Sequence, residues 1–457
     1  VGNEWSSGRV HLANSDNDFT GNIFIQGFGN TLTYEEGALG NASVSLPYGN
    51  AMSLTSASQL SIINSESDGI LAVSTNDDLD LTGKSLSLGA LGNHTYSGTL
   101  TVSDTYRFGG NGHLTLDTVL DSADTMLIDG QGNSGSHITF ARENAFDGSI
   151  VAGAGLELAE KNSRGDIAIH VTHANALAAT ESVQLQKGAI LYTDGRDVAV
   201  RNLSVQNGAY IVNNGESDIT LTLDVSNGVS TNIVDGAVGN NLNTAGLHIV
   251  KTGQGTLSLG NNTSWSGGLT IKEGTIKASA TTDSSSSLVG LGARDMSIRV
   301  EAGGTLDLTF AHRSSGDIHQ TSLPQYVSGT GTVRVSSGGA IMFTEKAAGF
   351  AGTVEVAGNS RLYIGNNFIE SPSNSMVHGN LDVFKDATVR VTEGSQARIT
   401  NMFRYGKGGA AAVSTSADFI IAGTGFKGSD NGMYGSGSQP LLAASLNGGA
   451  LSIDLGS

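Results

Sequence analysis

Along most of the chain, apolar and polar residues alternate with a period of two, in short runs closed by Gly, Asn or Asp. Between residues 108 and 158 the runs are HLTL, TMLI, HITF and SIVA. Between 166 and 225 they are IAIHV, SVQLQ, AILY, LSVQ, AYIV and ITLTLDV. A period of two sends alternate side chains to opposite faces, so each run predicts a short strand with one buried and one exposed face. Only residues 173–180, HANALAAT, read as helix. Residues 281–287 (TTDSSSS) and 310–325 (FAHRSSGDIHQTSLPQ) interrupt the strand rhythm and predict loops.

The runs belong to a larger repeat, clearest in residues 251–279, KTGQGTLSLGNNTSWSGGLTIKEGTIKAS. A Gly-rich turn leads into an alternating strand (TLSL), then a polar bend, then an aromatic two residues before a Gly (Trp265, Gly267), then a second strand (LTIK). Weaker copies stand at Phe19 and Gly21, Tyr96 and Gly98, Phe146 and Gly148, and Phe350 and Gly352. A strand-turn-strand unit that cannot bury its apolar face alone, repeated along a chain, predicts an all-β solenoid whose units cover one another.

Composition agrees. Gly at 64 of 457 residues, with only 4 Pro and 14% charged residues, fits many short strands joined by tight turns. A repeat array also replaces the several globular domains that the length alone would suggest. With no Cys, disulfides and thiolate metal sites are excluded. No apolar run approaches the roughly 18 residues of a membrane span, and no basic-then-apolar leader precedes Val1. The formal charge of −18 is uneven: residues 1–228 hold 26 acids against 9 bases, and residues 229–457 hold 16 against 15. An acidic chain repels nucleic acid and other polyanions at long range, but the near-neutral second half leaves room for local basic patches.

The segments GQGTLSLGNNTSWSGGLTIKEGTIKAS and GTGTVRVSSGGAIMFTEKAAGFAGTVEV resemble the autotransporter-associated β-strand repeat of AIDA-type passenger domains in type V secretion. The resemblance implies a right-handed parallel β-helix forming one passenger domain over residues 1–457, with the family's signal peptide and C-terminal membrane barrel outside this sequence. It implies export through periplasm and outer membrane to a Gram-negative surface. The expected role is adhesion to host glycosaminoglycans and a matrix protein such as fibronectin, with self-association leading to biofilm as the alternative. A polysaccharide lyase or hydrolase on the same fold is a further rival. No cofactor is expected.

Candidate sites follow from strand position. Lys272 (LTIKEG), Arg299 (SIRVEAGG), Arg334 (TVRVSSGG) and Arg390 (TVRVTEGS) each stand outward before a Gly turn, with Arg361 nearby. Stacked in register they would form a basic strip, and guanidinium forks suit sulfate and carboxylate. The plainer reading is solvation, with Glu273, Glu301 and Glu393 close enough to neutralise them. Outward carboxylates recur at Asp80, Asp117, Asp224, Asp307 and Asp382. Arg164-Gly165-Asp166 spells the tripeptide that integrins recognise, in a turn before IAIHV.

Enzyme signatures are thin. Residues 132–136, GNSGS, approach a serine-protease motif but lack a convergent His and Asp. Asn76, Asp77, Asp78 and Asp80 resemble the paired acids of β-helical glycosidases, without that family's accompanying His and Arg elements. Asn14, Asp16 and Asp18 offer alternating oxygens for Ca²⁺, though the Gly falls out of register for such a loop and an Asx turn explains them equally. The 10 His show no metal-ligand spacing.

Overall fold

A computed structural model describes residues 8–110, 112–130, 135–153, 167–233, 238–240, 246–260, 265–280, 291–293, 295–310, 321–323, 325–338, 340–343, 345–358, 360–366, 381–382, 387–391, 396–401, 413–414, 418–422 and 451–454. These residues are almost wholly strand and turn, and every strand pairing among them is parallel. The only helical elements described are two 3-10 turns, Ala57–Ile62 and Glu345–Ala347. No described helix is long and apolar enough to cross a membrane. The chain divides into two compact units, Val1–Asp224 with Ala237–Ala245, and Val225–Gly236 with Gly246–Ser457.

In the first unit, each strand lies beside the equivalent strand of the next repeat. Thr105–Gly109 pairs with Thr125–Asp129, which pairs with Ser149–Gly153, which pairs with Ser182–Leu185. Register therefore stacks like on like. Tyr106, Met126, Ile150, Val183 and Leu203 form one buried column. Phe108, Ile128, Ala152, Leu185 and Val205 form a second, two positions along. Each fully buried large aliphatic contributes on the order of 1.5–3 kcal/mol, so the columns carry the fold. A separate seven-stranded sheet runs from Asn93–Tyr96 through His113–Leu116, Ser136–Phe140, Ile167–Val171, Ala189–Tyr192 and Tyr210–Asn213 to Val238–Asn240.

Buried polar side chains close the turns. Asn30 and Asn50 are fully buried. The Asn30 side-chain oxygen accepts from Gly8 N at 2.7 Å, that of Asn50 accepts from Asn30 N at 3.0 Å, and the Asn50 amide donates to Gly27 O at 2.8 Å. An asparagine ladder thus satisfies turn backbone that the sheet cannot reach.

The repeated aromatic is a core anchor. Tyr96, Phe146, Trp265 and Phe350 are all buried, each at no more than 1% exposure, whereas Phe19 is 49% exposed. The Gly two residues later is explained by the chain packed beneath it. A Cβ on Gly98 would stand 2.6 Å from Asn76 O, on Gly148 2.1 Å from Ala123 O, on Gly267 2.6 Å from Leu247 C, and on Gly352 2.1 Å from Gly331 O. Only a residue without a side chain allows that approach.

Residues 173–180 correct the helical expectation. Isolated i→i+3 bonds (Ala176 N to His173 O, Ala178 N to Asn175 O, Thr180 N to Leu177 O) make consecutive turns. The segment buries only Ala176 and Leu177 among its apolar residues, besides Thr180, too narrow an apolar stripe to hold a helix against the sheet. Residues 281–287 lie outside the described residues. Within 310–325, Thr321–Ser322 is a short strand paired with Ile341 and Met342, where a loop was expected.

Candidate functional site

In the second unit the main sheet presents two outward columns. The first consists of threonines: Thr256, Thr275, Thr305, Thr332, Thr353 and Thr388 are successive register partners, all half-buried. Four of them open a strand and Thr275 and Thr305 stand mid-strand; in both places a β-branched residue packs well on a pleated surface. The second column, two positions along each strand, reads Ser258, Lys277, Asp307, Arg334, Glu355, Arg390. Base and acid alternate along it from Lys277 onward.

That register redraws the expected basic strip. Arg334 and Arg390 share the column, separated by Glu355. Arg334 Nε donates to Glu355 Oε2 at 2.8 Å, and Arg390 is exposed. Arg299 stands elsewhere, in register with Thr270 and Ser328, with its Nε 3.4 Å from Glu301. Lys272 is exposed at a register shift, where Ile271 pairs with Val300 but Glu273 pairs with Gly303. Such a bulge re-aims the side chain it carries. Arg361 belongs to a different, four-stranded sheet, between Ala340 and Gln396. The five bases are therefore not brought onto one line: Arg299 pairs with Thr270, two residues before Lys272, it stands eight residues before Asp307 of the Arg334 column, and Arg361 lies in another sheet. Arg164 and Asp166 lie outside the described residues, as do Ser134 and Glu393.

Several of the recurring acids are engaged by neighbouring side chains. Asp117 accepts from Arg142 Nε at 2.5 Å and Asp224 from Arg201 Nε at 3.2 Å. Asp307, expected to be outward and solvated, is 5% exposed and accepts from the Ser336 hydroxyl at 2.7 Å. Its register neighbours are Lys277 and Arg334.

The Asn76 cluster is turn architecture. Asn76 accepts from Ser97 N at 3.0 Å, Asp77 from Ala57 N at 2.9 Å, Asp78 from Thr99 N at 2.7 Å and Asp80 from Thr82 N at 2.9 Å. Backbone donors hold Asp77 and Asp78 below the usual carboxylate range, and the Thr82 hydroxyl and N–H do the same for Asp80. A proton-donating acid needs its pKa raised, and none of the three is. Asn14 accepts from Asp16 N at 3.2 Å and donates to Asn17 at 2.9 Å, an Asx turn.

Sequence reasoning passed over a histidine cluster on the seven-stranded sheet of the first unit. His113 and His137 are direct register partners, and His170 sits two positions further along, beside Thr139 and Tyr192. The three imidazole centroids lie 5.5–5.6 Å apart, and Tyr192 stacks on His170 at 4.9 Å. His170 Nδ1 lies 2.9 Å from Asp194 Oδ2, and its Nε2 lies 3.3 Å from His137 Nδ1. His113 Nε2 meets the Thr139 hydroxyl at 2.6 Å. Asp194, with positive φ, is fixed by Asn214, which donates a side-chain bond of 2.5 Å and accepts from Asp194 N at 2.9 Å.

Partial desolvation by the surrounding side chains, then repulsion from neighbouring imidazoles, lowers the His113 and His137 pKa values. Burial raises that of Asp194, but bonds from His170 and Asn214 outweigh it and the net shift is downward. No group of three or more His, Asp or Glu among the described residues is already arranged around a metal position. Beside the cluster, an open depression of about 550 Å³ is lined by Thr172, His173, Arg196, Asp197 and Asp218.

Comparison with protein-family models, curated proteins and solved structures gave no match to this chain.

Proposed function

We propose that each unit is a stretch of right-handed parallel β-helix and that the chain is the passenger of an AIDA-type secreted protein, an adhesin at the bacterial surface. The observation that carries this reading is the register: residues one repeat apart become neighbours, so the outward face offers the same side-chain position again and again. Such columns match an extended partner, and many weak contacts add up to avidity. Host glycosaminoglycan and a matrix protein such as fibronectin are the partners that fit.

For a sulfated glycan the contacts fall on the exposed bases Lys272, Lys277, Arg299 and Arg390. Lys277 and Arg390 stand four register steps apart, about 19 Å at the usual strand spacing. Arg334 contributes less, since Glu355 already holds it. The test is binding of heparin and chondroitin sulfate to the chain across a salt series. Arg299→Ser with Arg390→Ser should weaken binding and flatten its salt dependence, whereas Arg334→Ser should change little. Equal losses for both variants, or none for the first, would refute the assignment.

Self-association is favoured by a separate observation, the alternation of Lys277, Asp307, Arg334, Glu355 and Arg390. In an identical column displaced along its length, Lys277 or Arg390 of one copy meets Glu355 of the other, while Asp307 is too buried to take part. Sedimentation velocity at low and high salt tests it, with larger species expected only at low salt.

A further inference from the structure

The cluster on the seven-stranded sheet has a feature that stacking of rings does not explain. His170 Nδ1 faces the Asp194 carboxylate at 2.9 Å, and a carboxylate cannot donate. The imidazole proton of neutral His170 therefore sits on Nδ1, and Nε2 carries a lone pair. His137 Nδ1 lies 3.3 Å away: it donates to this lone pair when its proton is on Nδ1, and two lone pairs face each other when its proton is on Nε2. Asp194 is itself fixed by two bonds with Asn214, so the orientation of His170 is set from behind. A carboxylate on the far nitrogen of an imidazole is the arrangement that orients and strengthens metal-ligating histidines.

The separation of the two nitrogens is informative. At zinc–nitrogen distances of about 2.0–2.1 Å, two ligands at a tetrahedral angle stand about 3.3–3.4 Å apart. Square-planar neighbours at similar bond lengths would stand closer, at about 2.8–3.0 Å. His137 is exposed and His170 half-buried, so an ion between them would keep open positions facing solvent. His113 is a bystander in this arrangement, because its Nε2 is engaged by the Thr139 hydroxyl at 2.6 Å.

We propose that His137 Nδ1 and His170 Nε2 form a two-nitrogen site for a borderline divalent transition-metal ion of tetrahedral preference, Zn²⁺ above all, with Asp194 as the positioning residue and water in the remaining positions. The chemistry needs no thiolate, which this chain lacks. Hard cations such as Mg²⁺ and Ca²⁺ prefer oxygen donors and are excluded by the ligand set.

The test is titration of the chelator-treated full chain with ZnCl₂ in a non-coordinating buffer near pH 7.4, read by calorimetry, with Co²⁺ visible absorption reporting coordination geometry. Expected is a single saturable equivalent of micromolar affinity, and Co²⁺ bands of tetrahedral intensity. His137→Gln and His170→Gln should each weaken binding at least tenfold. Asp194→Asn should weaken it by about 10-fold to 100-fold, the usual range for such partners. His113→Gln and His248→Gln should leave it within about threefold, well inside the loss expected for a ligand. Because His137 is exposed, its Gln variant should keep the parent's metal-free melting temperature, separating lost ligation from lost folding. Absence of saturable uptake, uptake unchanged by His137→Gln, or a loss with His113→Gln as large as with His170→Gln would each overturn the two-nitrogen assignment.

Discussion

Lys251 opens the clearest copy of the repeat and is fully buried. Its ammonium donates to Thr252 O and Gly253 O at 2.6 Å each and to Glu273 O at 3.2 Å. The side chain thus ties its own Gly turn to the turn of the next repeat. Substitution by Met keeps most of the stem volume and removes the donors. Three hydrogen bonds to a charged group, at about 1.5–3 kcal/mol each, give a gross loss of roughly 5–9 kcal/mol. Against this stands the several kcal/mol no longer needed to desolvate an ion, together with rehydration of the exposed turn. A net destabilisation of about 2–4 kcal/mol results. Because repeat arrays open locally before they unfold globally, hydrogen exchange is the assay. Amides of Thr256–Leu259 and the first half of Leu269–Ala280 should exchange about 30-fold to 1,000-fold faster, at 1.4 kcal/mol per factor of ten. Replacing a buried ion by an apolar residue is sometimes stabilising. Exchange unchanged or slower in Lys251→Met would show that the ammonium does not hold these turns together.

Two further perturbations follow from the same packing. Gly352→Ala places a Cβ 2.1 Å from Gly331 O and should lower stability by about 2–4 kcal/mol in urea titration, whereas Gly83→Ala, at φ +73 with nothing within 4 Å, should cost only about 1 kcal/mol. Equal costs would show that close stacking does not select the motif glycine. On acidification, the depressed His113 and His137 values mean that the unfolded chain binds protons first. Stability should therefore be unaffected well above about pH 6.5, the ordinary imidazole value, and fall as pH drops through and below it. Asp194, with its lowered value, contributes stability that persists below that window and is lost only as pH falls through its own folded pKa. In His113→Gln with His137→Gln the fall near pH 6 should shrink, and an undiminished fall would refute the assignment.

The strands and the aromatic-x-Gly motif were legible because both are local: a period of two is written in consecutive residues, and Trp265 with Gly267 share one bend. The Phe19 copy shows the limit. Its ring is half-exposed, and the atom nearest a Cβ on Gly21 belongs to Phe19 itself at 2.8 Å, so motif and packing part company there. What the sequence hid was register. Lys272 and Arg299 look equivalent in LTIKEG and SIRVEAGG, but Arg299 pairs with Thr270, two residues before Lys272. Asp307 looks solvated in TLDLT until Lys277 and Arg334 are placed on either side. His113, His137 and His170 lie in three different strands with unequal spacing, and only parallel pairing brings them together. The similar placement of His at the head of HLTL and of HITF was the one available sign.

The chain's lack of Cys makes register directly measurable. Thr275→Cys with Thr305→Cys places two thiols on register partners, about 4.8 Å apart between Cα atoms and within reach of a disulfide. Thr275→Cys with Thr332→Cys places them two steps apart, at about 9.6 Å and out of reach. Under mild oxidation the first pair should close quantitatively and the second remain free. Closure of the second pair, or failure of the first, would contradict the stacked columns on which the binding surface is built.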